Sequence, residues 1–187
     1  MSKAKQAFRQ QLLNEAEGYL DLILVFVDRW KLATALRDRL AYRALDCLNR
    51  IDWPEDQQGE VFYLKGQAYR AMERYRQAVP LLQTAAQFEP FNVPIWLALG
   101  WCYKRMNRLD LAIESLEEAS EVDSEQAIIQ YNLACYWSLA GNVDQAVFYL
   151  SRAFDIDINF RNLVSGESDF DPIRSEAEFR VLNGLIA

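Results

Sequence analysis

Apolar residues along this chain recur three and four positions apart, which is the spacing of an amphipathic helix and not the alternation of a strand. In the N-terminal third the pattern predicts a helix over 15–24 and a second over 40–51, the latter with Ala44, Leu45, Leu48 and Ile51 on one face. From about residue 59 onward the pattern repeats itself. The interval that separates Gly66 from Gly100 also separates Tyr69 from Tyr103, Ala78 from Ala112, Leu82 from Leu116, and Ala85 from Ala119. The series continues to Trp137, Ala146, Leu150 and Ala153. It divides the sequence into three gapless units, 59–92, 93–126 and 127–160. A period of this length means helical hairpins that cannot bury their apolar faces alone and stack on their neighbours. Turn residues fall where such hairpins need them, at Gly141-Asn142 inside the third unit and at Glu89-Pro90-Phe91-Asn92 between the first and second.

The repeated residues resemble the tetratricopeptide repeat family, whose pattern has a large residue at position 4, Leu at 7, a small residue at 8, an aromatic at 11, Ala at 20 and 27, and often Pro at 32. The middle unit matches with Trp96, Leu99, Gly100, Tyr103, Ala112, Leu116 and Ala119, and has Ser124 in place of the late Pro. The first offers Phe62, Gly66, Tyr69, Ala78, Ala85 and Pro90, with Lys65 replacing Leu. The third keeps Leu133, Ala134, Trp137, Ala146, Leu150 and Ala153 but has Gln130 at position 4. The resemblance implies an all-α, right-handed solenoid of helical hairpins, in which small residues at 8 and 20 let paired helices approach closely.

Both ends depart from the pattern. Gly18 and Ala44 resemble positions 8 and 20 of a further repeat within 1–58, but the interval between them is more than twice that from Gly66 to Ala78. The extra residues, roughly 23–36, are rich in apolar side chains and contain neither Gly nor Pro. They predict lengthened helices and not a loop. Beyond 160, the stretch 160–170 reads as a connection, Ser175 and Glu178 have the spacing of a capping box, and Phe179, Leu182 and Leu185 recur as the face of a final helix that caps the array across 161–187. The segment Asp169-Phe170-Asp171-Pro172-Ile173-Arg174 resembles an ending found in bacterial tetratricopeptide proteins.

Composition narrows the function. The chain has no histidine, which removes the commonest general base and metal ligand, and its seven glycines form no phosphate-cradling loop. Cys47, Cys102 and Cys135 are far apart and form no CxxC pair. The row Glu114, Glu117, Glu118 and Glu121 reads as a solvated helix face and not a cation site. A non-catalytic protein without cofactor or metal is expected. The net charge of −7 argues against binding nucleic acid, although residues 1–50 carry nine Lys/Arg against six Asp/Glu. No apolar run approaches the roughly 20 residues of a membrane span, and the first residues lack the features of a signal peptide, so a cytoplasmic protein is expected.

The family resemblance implies where a protein or peptide partner would sit, since the first helix of each hairpin lines a concave groove. The ligand-facing positions give Tyr63, Gln67 and Arg70 in the first unit, Leu97, Trp101, Lys104 and Arg105 in the second, and Tyr131, Asn132, Cys135 and Ser138 in the third. Trp101 stands out as a large aromatic beyond the repeat's own Trp96. The carboxylate clamp of chaperone cofactors is absent, because Tyr63, Gln67, Ala98, Ile128 and Asn132 stand at its positions. An adaptor or chaperone-like module is the expected function. The alternatives are a self-assembling scaffold subunit using the N-terminal helices, and a chaperone of the type III secretion kind.

Overall fold

A computed structural model describes residues 3–29, 33–50 and 52–184, except for the side chains of 25–29. Among the described residues the regular structure is entirely helical. It falls into two compact units, 1–90 and 91–187.

The first unit holds α1 (Lys3–Arg29), α2 (Thr34–Asn49), α3 (Glu55–Ala71) and α4 (Tyr75–Phe88). Its core joins Leu12, Leu13, Ala16, Leu20 and Ile23 of α1 to Ala44, Leu45 and Leu48 of α2 and Val61, Leu64 and Ala68 of α3. The lengthened α1 runs helically through Arg29, and α2 begins at Thr34, ahead of the predicted start at Leu40. Trp30, Leu32 and Ile51 lie outside the described residues. One expectation fails here. Gly18 is exposed, and a Cβ added to it would meet nothing within 4 Å, so it is not the close-approach position of a hairpin. The buried small residue of α1 is Ala16, two positions earlier. Helix α3 also starts ahead of the predicted repeat boundary at Gly59, with Pro54 preceding it and Glu55 and Asp56 in its first turn.

The second unit holds α5 (Val93–Arg105), α6 (Leu109–Val122), α7 (Ala127–Leu139) and α8 (Val143–Ile156). Helices α5 and α7 begin at the first residues of their predicted repeats. The repeat's chemistry is visible at the small position 8. A Cβ on Gly66 would lie 2.6 Å from Leu82 Cδ2, and one on Gly100 would lie 3.2 Å from Leu116 Cδ2. The same glycine–leucine contact thus recurs one repeat later, and it is what holds each helix pair at short range. A second recurrence lies in the turns. Glu73, Asn107 and Gly141 all have positive φ, at 60°, 58° and 76°. Each follows the end of the first helix of its hairpin, where the left-handed conformation turns the chain back.

Gln130 fills the position that the family pattern gives to a large residue. It is fully buried, and its amide donates to Ser120 Oγ and to the Ser124 carbonyl, both at 3.1 Å. Polar bonds to α6 and to the turn that follows it thus replace apolar packing at that place.

Residues beyond α8 do not form a plain connection. A 3-10 turn at Ile158–Phe160, a short α9 (Arg161–Val164) and a second 3-10 turn at Ser168–Ile173 bring the chain back onto α7, and α10 (Ala177–Leu182) then packs on α8. Phe170, Ile173 and Phe179 are buried. The predicted capping box is not formed, because α10 starts at Ala177 after Glu176 and has no side-chain cap bond. Leu182 is half-buried, and Leu185 lies outside the described residues.

Candidate partner-binding faces

In the first unit, Tyr63, Gln67 and Arg70 share one face of α3 and are half-buried. Arg70 Nε donates to Gln67 Oε1 at 2.6 Å. Burial pushes the Tyr63 hydroxyl above its ordinary pKa, while its hydrogen bond with Gln67 and the charge of Arg70 oppose that rise. The three side chains therefore form one ordered polar row, spaced i, i+4 and i+7 as a helix face requires.

In the second unit, Leu97, Trp101 and Arg105 lie one turn apart along α5. Trp101 is 42% exposed. Its neighbours Leu99, Gly100, Cys102 and Tyr103 are buried, so Trp101 is on the outer side of a packed helix. Lys104 sits beside it, with Nζ 5.4 Å from the Trp101 ring centroid and 5.6 Å from that of Tyr136. That ammonium also makes an ion pair with the Asp169 carboxylate. Lys104 is thus committed inside the molecule, and of the basic residues expected on α5 only Arg105 is exposed.

Helix α7 presents the corresponding positions differently. Tyr131 is 5% exposed, Cys135 2% and Ser138 0%, while Asn132 is half-buried. The returning chain covers them. Ser138 Oγ donates to the Asp169 carbonyl at 2.7 Å. The Tyr131 ring lies 5.2 Å from Phe160 and 5.6 Å from Phe170, edge-on to the latter, and Phe170 lies 5.4 Å from Phe179. Arg174 fixes the loop from behind, donating to the Glu167 carbonyl and the Asp171 carboxylate at 2.6 Å each. The segment 158–174 is therefore a clasp over α7, and Tyr131 and Cys135 are parts of its seat.

Sequence spacing did not find one cluster at this seat. Cys135 Sγ and carboxylate oxygens of Glu167 and Asp169 lie within 4.8 Å of one another. Burial, and then the two acids, push the Cys135 thiol well above its ordinary pKa. The Tyr131 hydroxyl is raised too, by burial, then by Cys135 and the two acids, and has no hydrogen-bond partner among the described residues. A cation is already present in the form of Lys104 on Asp169, and Glu167 is engaged with the Asp169 backbone N–H at 3.1 Å. Lys104 offsets one of the two carboxylates, the cluster anchors the clasp, and no metal is assigned to it.

Helical hairpins of constant period define the α-solenoid class of fold. Residues 69–134 match the family model described as tetratricopeptide repeat. That stretch is about a third of the chain, and the fold of the chain as a whole is that of tetratricopeptide solenoids. Among solved structures it is similar to MamA, with a TM-score of 0.60 at 21% identity, covering 84% of this chain and 88% of that one. It is also similar to YrrB, described as a TPR protein with an unusual peptide-binding site, with a TM-score of 0.58 at 22% identity over 81% and 73% of the two chains. A stretch of 57 residues is 35% identical to anaphase-promoting complex subunit 3 of Dictyostelium discoideum. That stretch is 30% of this chain but only 6% of the relative. No described helix is long and apolar enough to cross a membrane.

Proposed function

We propose that this chain is a non-catalytic adaptor or chaperone-like module of the cytoplasm that holds a peptide segment of a partner protein on the first helices of its hairpins. The fold class makes it a protein-interaction module, and the observation that supports the finer reading is Trp101. Trp101 is 42% exposed on the first helix of its hairpin, and a large aromatic flanked by Leu97 and Arg105 is the kind of anchor that dominates binding energy. In this reading the α5 face takes an apolar or aromatic side chain at Trp101 and an acidic one at Arg105. Tyr63, Gln67 and Arg70 on α3 offer a polar row of their own. Tyr131 and Cys135, under the clasp, support the surface from below and are not offered to a partner.

Fluorescence titration with labelled peptides that combine Leu or Phe with Asp or Glu tests the reading. Binding weakened about tenfold or more in Trp101→Ala is the expected result. An affinity unchanged by that substitution removes Trp101 from the site and the reading with it.

A further inference from the structure

Three elements of the second unit meet at the ammonium of Lys104. Its Nζ lies 5.4 Å from the centroid of the Trp101 ring on α5 and 5.6 Å from that of buried Tyr136 on α7, and it makes an ion pair with the Asp169 carboxylate of the clasp. A lysine ammonium on its flexible stem, left to itself, sweeps through solvent and spends little time against any one ring. Here that freedom is removed from the far side. Asp169 is held twice by its own backbone, its carbonyl accepting from Ser138 Oγ at 2.7 Å and its N–H donating to Glu167 Oε1 at 3.1 Å. The carboxylate that fixes Lys104 is therefore carried by chain that α7 and the clasp keep in place.

The surrounding charges favour the same arrangement. Glu167 adds a second carboxylate to the cluster, and Arg174, the cation of the clasp, is engaged by the Asp171 carboxylate and by the carbonyls of Val164 and Glu167. Two acids thus face the one ammonium of Lys104, while Arg105, exposed on the same helix, is the cation that a partner's acid meets. An indole with a held cation beside it samples fewer orientations, so a partner that packs on it loses less freedom on binding. A partner seated on Trp101 in turn excludes water from Lys104, which strengthens both the cation–ring contact and the ion pair. The two effects have the same sign. With Trp101 as the anchor proposed above, on which this rests, we infer that Lys104 and Asp169 are positioning residues of the partner site, through which the closed clasp readies Trp101 for a partner and a bound partner holds the clasp closed.

Linkage ties the two effects together, since a partner favours the closed clasp by the same factor by which the closed clasp favours the partner. A cation–ring contact that becomes desolvated supplies a factor of about five. The Cys135 thiol reads the clasp without any substitution, because it is buried beneath it and a thiol reagent reaches it when the clasp opens. In the wild-type full chain, a saturating amount of the Leu/Phe–Asp/Glu peptide that binds best is expected to slow alkylation of Cys135 about fivefold, followed by mass spectrometry of the digested protein. Affinity for the same peptide is expected to fall about fivefold in Asp169→Asn and in Lys104→Met, with the unfolding midpoint of each variant confirming that it is folded. Lys104→Arg keeps a cation that both stacks on rings and pairs with a carboxylate, and its affinity is expected within about twofold of wild type. A bound peptide that leaves the alkylation of Cys135 unchanged overturns the coupling. So does an affinity indifferent to Asp169→Asn and Lys104→Met, or a Lys104→Arg variant as weak as Lys104→Met. Failure of the anchor itself looks different, for then Trp101→Ala binds the peptide as well as wild type; the coupling alone fails when Trp101→Ala weakens binding and Asp169→Asn does not.

Discussion

Helices α5 and α7 carry the same repeat positions in successive units, and those positions meet different fates. Leu97 corresponds to Tyr131, Trp101 to Cys135, and Lys104 to Ser138. On α5 the middle residue of the three is exposed, while on α7 all three are buried. The helix geometry is the same in both, so the difference comes from what lies on top. The clasp that returns from 158 to 174 puts Phe170 on Tyr131 and a backbone carbonyl on Ser138. A repeat period therefore identifies a face, and whether that face is open depends on chain elsewhere.

Removing the clasp's anchor tests this difference most severely. Phe170 is fully buried between Tyr131 and Phe179. Phe170→Ala is expected to lower stability by about 3–5 kcal/mol, read as the shift of the urea midpoint. The same variant should make α7 resemble α5 in access. Cys135, whose thiol is buried in the intact protein, should react with a thiol reagent at least about ten times faster at a fixed alkaline pH. Stability lost without any gain in Cys135 reactivity would mean that the clasp is not what covers α7.

Next in size is the link between the two helices. Lys104 reaches from α5 to Asp169 of the clasp, and the side chains are 17% and 13% exposed. Lys104→Met leaves the Asp169 carboxylate partly buried without its cation. The expected loss is about 2 kcal/mol by thermal or urea unfolding, less than for a fully buried pair because water still reaches both groups.

What could be read from the sequence follows the same division. The hairpins were legible because their packing repeats, as in Gly66 on Leu82 and Gly100 on Leu116. The turn at Gly141-Asn142 was legible too, since glycine marks a left-handed residue. The equivalent residues Glu73 and Asn107 take that conformation without so plain a signal, and only the period points to them. Burial of Tyr131 and Cys135 was not legible. It depends on a contact with Phe170, which lies more than one full repeat further along the chain, in a segment with no repeat to align it. Gly18 misled for a related reason. Composition singled it out, but α1 turns it to solvent and buries Ala16 instead. The candidate positions on α3 and α5 follow from position in the repeat. Their availability needed the third dimension.

A smaller change sharpens the comparison at Tyr131. Its hydroxyl is buried without a hydrogen-bond partner among the described residues, a state that costs free energy because the group has left water for nothing. Tyr131→Phe keeps the ring contacts to Phe160 and Phe170 and removes only that atom. Stability should rise by about 1 kcal/mol, visible as a higher unfolding midpoint. A fall of similar size would show that the hydroxyl is hydrogen-bonded in solution, most simply through a water in the Cys135 cluster.

The smallest expected effect on stability is at Trp101, and its smallness is what makes it informative. Trp101 is the counterpart of buried Cys135, yet it is 42% exposed, with the ammonium of Lys104 beside its ring. Such a contact at a partly exposed site contributes about 0.5 kcal/mol. Trp101→Ala should therefore shift the unfolding midpoint very little, within about 0.5–1 kcal/mol, while substitutions under the clasp have much larger effects. If the variant instead unfolds as readily as Phe170→Ala, the indole is packed in solution and α5 is closed as α7 is. If stability holds and peptide binding falls, the same residue is shown to be dispensable for the fold and needed for the partner, which is the combination a binding anchor has and a core residue lacks.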